Sequence, residues 1–185
     1  MAFRVLCGDP GSVNFALSVL EYDKGKLRVL GTKMMTSTFK DLSARTVVED
    51  LNAFSEEIEE LIVQWKPDAM YFERFQFRGS GISTIEAVNV MLGLLMSLAH
   101  VYGVKARLIT ASTWKNNFNN NCADLKQLYK AHKLTSKHSP KAIHEFDSAL
   151  IGVYTVYDML ATKVKPFQGF DVDAFFEQFI CAPNL

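Results

Sequence analysis

The fold class follows from the segment Phe3–Met35, FRVLCGDPGSVNFALSVLEYDKGKLRVLGTKMM. A short apolar run ends in the turn Asp9-Pro10-Gly11, and a second apolar stretch follows directly. Asp23-Lys24-Gly25-Lys26 is typical of a hairpin turn between two strands. The strands are expected over residues 3–8, 12–22 and 27–35. The opening of the chain therefore predicts three antiparallel strands joined in sequence order.

A helical period follows these strands. Apolar residues recur at steps of three and four and predict one face of an amphipathic helix: Val47, Leu51, Phe54, Ile58, Leu61 and Trp65. Ser43 is expected to cap the start of this helix, and Pro67 ends it. A fourth strand is expected over 68–73. Its position after a helical crossover predicts parallel pairing with the first strand.

The second half of the chain alternates helices with one more strand. Helices are expected over 84–102, 111–118, 122–132 and 141–160, and a fifth strand over 105–109. Asn119-Asn120-Asn121 is interpreted as a loop, and helix 84–102 is apolar on nearly all sides, as in a buried helix or a subunit contact. The order predicts an α/β domain with one mixed five-stranded sheet, an antiparallel meander followed by parallel strands, and helices on its faces.

Composition limits the class of protein. The chain has 185 residues, of which 49% are hydrophobic and 22% charged, which suits one globular domain. We expect that domain over 1–163, with a C-terminal extension over 164–185 whose phenylalanines pack on the domain or on a dimer partner. Three cysteines without metal-type spacing predict reduced thiols and a cytoplasmic location. The longest apolar stretch is too short to span a bilayer, so no membrane partner is expected.

The charge is sorted along the chain although the formal net charge is zero. Neutrality excludes a uniformly basic nucleic-acid coat protein. Residues 113–141 nevertheless contain six lysines against one acid, Asp124, and residues 142–185 carry a charge of −4. Three lysines of the basic block, Lys126, Lys130 and Lys133, have the spacing of one helical stripe. Such a stripe is either a solvated face or, beside a nuclease site, a track for phosphates.

Four side chains are candidates for one metal site. Asp9 closes the first strand and Glu73 the fourth, and sites gather at the carboxyl ends of neighbouring strands. His144 and Asp147 share a face of the last long helix, and Glu145 points elsewhere. Carboxylates are the ligands that Mg²⁺ prefers, and two such ions can clamp a phosphodiester during in-line attack. Taken singly, these residues also suit a turn, a solvated strand end, a core histidine and a partner of a lysine.

Four segments together resemble the RuvC-type Holliday junction resolvases of the RNase H-like nuclease superfamily. The segments are Cys7–Gly11 (CGDPG), Tyr71–Phe75 (YFERF), Ile109–Lys115 (ITASTWK) and His144–Ala149 (HEFDSA), and the resemblance covers about residues 3–158. It implies an RNase H-like fold and cleavage of four-way DNA junctions with Mg²⁺ or Mn²⁺, two ions to a site. It also implies a homodimer formed through helix 84–102.

The resemblance also implies individual roles. Asp9, Glu73 and Asp147 match the catalytic, metal-binding carboxylates, and His144 matches a fourth metal ligand. Lys115 matches a catalytic lysine that neighbours the scissile phosphate. By the same resemblance, paired nicks from a homodimer leave 5′-phosphate and 3′-hydroxyl ends.

The loop after the fourth strand mixes cations and aromatic rings, a pattern typical of DNA contact. It supplies Arg74, Phe75, Phe77 and Arg78 as DNA-binding candidates, and Lys126, Lys130, Lys133 and Lys137 complete that set. The chain departs from the familiar pattern because Gln76 stands where bacterial members carry an aromatic residue at the junction centre. It also lacks their Gln-x-x-Gly motif at Gly93. These departures indicate a divergent member, for which a bacteriophage is a candidate source.

Three alternatives remain open from the sequence. The first is a broader nuclease of the same fold that cuts flaps, forks or RNA–DNA hybrids. The second is a protein that binds junctions without cutting them. The third is an actin-like ATPase, since Asp-Pro-Gly-Ser after a first strand also suits a phosphate loop. It ranks last because the chain is too short for two such domains.

Overall fold

The computed structural model describes residues 2–11, 14–36, 42, 45–74, 82–135, 142–160 and 171–185. The strands are β1 (Phe3–Pro10), β2 (Asn14–Asp23), β3 (Lys26–Thr36), β4 (Ala69–Glu73) and β5 (Lys105–Ile109). The helices are α1 (Val47–Trp65), α2 (Ile82–Val101), α3 (Ala111–Asn121), α4 (Leu125–Thr135), α5 (Ile143–Leu160) and α6 (Val172–Cys181).

The five strands form one mixed sheet in the order β3-β2-β1-β4-β5. Strands β1, β2 and β3 pair antiparallel, whereas β4 is parallel to both β1 and β5. Lys24 and Gly25 both have positive φ, 50° and 83°, as a tight hairpin turn of the expected kind requires. The predicted meander, crossover and parallel strands are therefore confirmed.

Successive side chains of β1 point to opposite faces of the sheet, and each face has its own hydrophobic core. Val5 and Cys7 pack with residues of α3, α4, α5 and α6, while Leu6 packs with residues of α1 and α2. Helix α5 is the most buried helix and lies across β1 and β2. The predicted helices on both faces are confirmed, and the α5 face also carries the candidate site.

Three helix boundaries differ from the prediction, and one is that of α4, which covers Leu125–Thr135 and not 122–132. Helix α3 continues to Asn121, so the interpretation of the three asparagines as a loop is wrong. Trp114 and Phe118, one turn apart, are fully buried and anchor the helix, and the Asn121 amide donates to the Asn117 carbonyl at 3.0 Å. Helix α1 begins at Val47 after Thr46. The predicted cap Ser43 lies outside the described residues.

Helix α2 has a buried face and an exposed face, and apolar residues lie on both. Its inner face buries residues of the α1 side of the core: Ala87, Val88, Met91, Leu92, Leu95, Leu98 and Ala99. Its outer face exposes Glu86, Asn89, Val90, Gly93 and Ser97. The long apolar run conceals this division because several apolar residues, including Val90, are on the outer face.

Helix α6 packs on the domain. Asp171 caps it by accepting from the Ala174 N–H at 2.9 Å, and Phe175 and Phe179 are buried. The Phe179 ring lies 5.1 Å from the Phe146 ring of α5. The proposed domain boundary at residue 163 falls within 161–170, outside the described residues. Within the described ranges, no helix is long and apolar enough to cross a membrane.

Candidate functional site

Asp9 and Glu73 lie side by side at the carboxyl ends of neighbouring parallel strands. They come one residue after Gly8 and Phe72, which face each other in the β1–β4 register. Because side chains alternate along a strand, Asp9 shares a face with Cys7 and Glu73 shares a face with Tyr71. Both acids therefore point to the side of the sheet that α5 covers.

The first turns of α5 bring two more polar side chains to this edge. His144 Nδ1 lies 2.7 Å from Asp9 Oδ2. Asp147 follows three residues later, one helical turn along, and is mostly buried. The structure thus brings together all four residues that the sequence proposed as metal ligands.

Trp114 holds Glu73 from inside the core. Its indole Nε1 donates to Glu73 Oε2 at 2.7 Å. Thr110 caps α3 by accepting from the Thr113 N–H, which fixes the turn that carries Trp114. This role was not predicted from the sequence. The signal in the sequence is the tryptophan itself, because a buried indole N–H needs an acceptor.

Tyr129 and Lys115 both contact Asp147. The Tyr129 hydroxyl donates to Asp147 Oδ1 at 2.7 Å, and Lys115 Nζ lies 3.9 Å from Asp147 Oδ2. Lys115 Nζ also lies 4.9 Å from the centre of the Trp114 ring and 5.8 Å from that of Tyr129. Tyr129 was not predicted as a site residue, because its contact with Asp147 depends on how α4 packs beside α5.

Burial and neighbouring acids raise the pKa of two carboxyl groups in the site. Burial is the main cause that raises the pKa of Glu73, and the charges of Asp9 and Asp147 raise it further, against the indole hydrogen bond and Lys115. Burial also raises the pKa of Asp147, although Tyr129 and Lys115 oppose that shift. The hydrogen bond to Asp9 is the main cause that raises the pKa of His144. These carboxyl groups are therefore held together at an electrostatic cost that a cation would offset.

The donor set suits a hard divalent cation, because three carboxylates and an imidazole offer mainly oxygen ligands. Within the part of the chain that the structure describes, no three His, Cys, Asp or Glu side chains are gathered at ligand distances. The Asp9–His144 hydrogen bond and the Tyr129–Asp147 hydrogen bond set the present arrangement. The chemistry of the residues fits Mg²⁺ or Mn²⁺.

Cationic side chains lie around the site. Arg74 follows Glu73 and is exposed, and its backbone N–H donates to the Ile109 carbonyl at 2.6 Å. Lys126, Lys130 and Lys133 are exposed on α4, the helix that supplies Tyr129. The other four predicted DNA contacts or aromatic wedges, Phe75, Phe77, Arg78 and Lys137, lie outside the described residues.

Comparison with solved structures identifies the same fold in three resolvases. RuvC of Thermus thermophilus superposes with a TM-score of 0.66 at 20% identity, over 86% of this chain and 98% of that one. The yeast mitochondrial Holliday junction resolvase Ydc2 gives 0.61 at 17% identity, over 87% and 81%. The Fowlpox virus resolvase, solved with its substrate Holliday junction DNA, gives 0.50 at 10% identity, over 85% and 99%.

A scan against protein-family models and a search of curated protein sequences gave no match. Identities of 20% and below show a common fold and leave the activity to be argued from the site. The sheet order, the helices on both faces and the coverage of most of the chain agree with the earlier resemblance. The chain therefore has the RNase H-like fold of the RuvC-type resolvases.

Proposed function

We propose that this protein is a metal-dependent endonuclease that resolves four-way DNA junctions. The main support is that three acids and a histidine lie at one edge of the sheet: Asp9, Glu73, Asp147 and His144. Lys115 lies beside them. The raised pKa values of Glu73 and Asp147 support it, because buried acids held close together are typical of functional sites. The shared fold with junction-bound resolvases supports the choice of substrate.

Each residue has a distinct task in this proposal. Asp9, Glu73, Asp147 and His144 would hold Mg²⁺ or Mn²⁺, which supplies an activated water and stabilises the departing oxygen. Trp114 and Tyr129 keep Glu73 and Asp147 in fixed orientations from the protein side. Lys115 lies between the acids and solvent, 36% exposed, where its ammonium group can contact a phosphate oxygen.

The exposed cations define the proposed DNA path. Arg74 continues β4 beyond Glu73, and Lys126 and Lys133 lie three residues before and four residues after Tyr129. The lysine stripe therefore runs along the helix whose Tyr129 contacts the site. Contacts of this kind position the phosphate backbone and make binding sensitive to salt.

We also propose that the outer face of α2 forms the homodimer contact. Val90 is 38% exposed and Val101 is 74% exposed, and Gly93 and Ser97 lie between them. A Cβ atom added at Gly93 would meet nothing within 4 Å, so packing within one chain does not require glycine there. A second α2 approaching closely would use a small residue at this position. Two sites related by a two-fold axis could then nick opposing strands.

Replacing Gly93 with lysine tests the dimer contact. The new side chain has space in the single chain but would place a charge inside the paired helices. We expect the protein to become monomeric in sedimentation experiments and to lose paired nicking while single nicks continue. Val48→Lys on α1, also at an exposed valine, is the matched control and should stay dimeric. A dimer that survives Gly93→Lys would contradict this contact.

Cleavage of strand-labelled DNA tests the activity itself. Four-way junctions, flaps, forks, RNA–DNA hybrids and linear duplex are each incubated with Mg²⁺ or Mn²⁺, with Asp9→Asn as control. We expect junctions to be cut fastest, and we expect the variant to bind junctions without cutting them. Equal rates on flaps, forks or hybrids would favour the broader nuclease. Binding without cutting by the unmodified protein would favour a junction-binding protein.

A further inference from the structure

Residues 183–185 pair with the outer edge of the sheet at Thr32. The Thr32 N–H donates to the Pro183 carbonyl at 3.0 Å, and the Leu185 N–H donates to the Thr32 carbonyl at 3.0 Å. The Leu185 side chain covers Gly31, where any Cβ atom would collide with it. This segment therefore covers part of edge strand β3 and leaves Thr32 fully buried.

The Thr32 side chain joins this edge to the start of α5. Its hydroxyl donates to Glu145 Oε1 at 2.8 Å, across a sequence separation of 113 residues. The other oxygen, Glu145 Oε2, accepts from the Ala142 N–H at 2.9 Å. Glu145 is only 6% exposed, so its carboxylate is a buried link between β3 and the helix N-terminus.

The hydrogen bonds of Glu145 matter for the candidate site because they hold the first turn of α5, which carries His144. The helix starts at Ile143, and the preceding Ala142 has no side-chain acceptor that could satisfy the first backbone N–H groups. Glu145 instead reaches back to Ala142, as the acid of a capping box does. The same turn carries His144, and Asp147 follows one turn later.

We propose that Glu145 is a positioning residue for the metal site. Through Thr32 and residues 183–185, it fixes the first turn of α5 so that His144 reaches Asp9 and Asp147 reaches Tyr129. The proposal rests on the proposed function, since it assigns those contacts to a cation site. It predicts that loss of the link weakens metal binding without any change in the ligands themselves.

The test measures Mn²⁺ binding to the full chain, with Mn²⁺ alone as probe and free Mn²⁺ followed by its electron paramagnetic resonance signal. Glu145→Ala should weaken Mn²⁺ binding by about 10- to 100-fold, the range typical when a residue supporting a metal ligand is removed. Glu145→Gln should stay close to the unmodified protein, because its amide can accept from Ala142 and donate to the Thr32 hydroxyl.

Two further variants separate positioning from general stability. Thr32→Val keeps the shape of the side chain and replaces the hydroxyl with a methyl group. It should also weaken Mn²⁺ binding, and it gives a result even if Glu145→Ala fails to fold. Ile58→Val destabilises the opposite face of the sheet and should leave Mn²⁺ binding unchanged.

The outcomes distinguish this proposal from the proposed function. Unchanged Mn²⁺ affinity in Glu145→Ala and Thr32→Val, with only a lower melting temperature, would overturn the positioning role. Weaker binding in both variants, together with no junction cleavage by the unmodified protein, would support the positioning role and reject the nuclease. Absence of Mn²⁺ binding by the unmodified protein would overturn both.

Discussion

Replacing Tyr129 with phenylalanine removes one hydrogen bond at the centre of the candidate site. The hydroxyl donates to Asp147 Oδ1 at 2.7 Å, and the Asp147 side chain is only 16% exposed. Phenylalanine keeps the ring, which packs edge-on against Phe146 with ring centres 6.0 Å apart. The change therefore tests the hydrogen bond with little change in packing.

The expected cost follows from the charge and burial of the acceptor. A hydrogen bond to a charged group contributes about 1.5–3 kcal/mol, and solvent is poorly placed to replace this one. We expect the free energy of unfolding of the metal-free protein to fall by about 1.5 kcal/mol at a pH above the raised pKa of Asp147, where the ionised carboxylate accepts this bond. In an Asp147→Asn background the same change should cost less, about 0.5–1.5 kcal/mol, because the acceptor is neutral.

Activity gives the second measurement. If Tyr129 orients a metal-binding carboxylate, the variant should need more Mg²⁺ for half-maximal junction cleavage, by about 10- to 100-fold. Tyr102→Phe is the matched control, since Tyr102 is 40% exposed and lies beyond α2, just before the start of β5. Equal unfolding free energies and equal Mg²⁺ requirements in Tyr129→Phe and the unmodified protein would refute the reasoning.

Four further predictions concern charge. Because Glu73, Asp147 and His144 have raised pKa values and must lose their protons to bind a cation, junction cleavage should increase as pH rises through those raised pKa values. The free energy of unfolding of the metal-free protein should fall as pH rises through those raised pKa values, because folding favours the protonated forms. A free energy of unfolding that rises with pH together with cleavage would contradict this prediction. Glu73→Gln should raise the free energy of unfolding of the metal-free protein at pH 8 by about 0.5–2 kcal/mol, because it removes repulsion between Glu73 and the charges of Asp9 and Asp147. A lower melting temperature in this variant would contradict that repulsion. Replacing Lys126, Lys130 and Lys133 with glutamine should reduce the slope of log affinity against log salt concentration by about 2–3. An unchanged slope would show that these lysines do not contact the DNA.

Local sequence patterns were enough to predict that Asp9 and Glu73 lie at the same edge of the sheet. The apolar run into Asp9 and the helical crossover before Glu73 made two neighbouring parallel strands the simplest arrangement, and the structure shows this pairing. The spacing of His144 and Asp147 placed them on one helical face, and both reach the site. These residues could be predicted because strand and helix periods act over a few positions.

The partners of those acids could not be predicted in the same way. Trp114 and Tyr129 reach Glu73 and Asp147 only because α3 and α4 fold against α5, and no local period encodes that packing. The contact between Thr32 and Glu145 spans most of the chain for the same reason. The end of α3 was missed because asparagine is a weak helix former, although buried Trp114 stabilises the helix.

The position of a bound cation tests the proposed metal site directly. Crystals of the protein are soaked in Mn²⁺, and anomalous scattering from the manganese locates it. We expect an anomalous peak in contact with Asp9, Glu73 and Asp147, and no such peak in Glu73→Gln crystals at the same Mn²⁺ concentration. A peak at other residues, or none at this sheet edge in the unmodified protein, would contradict it.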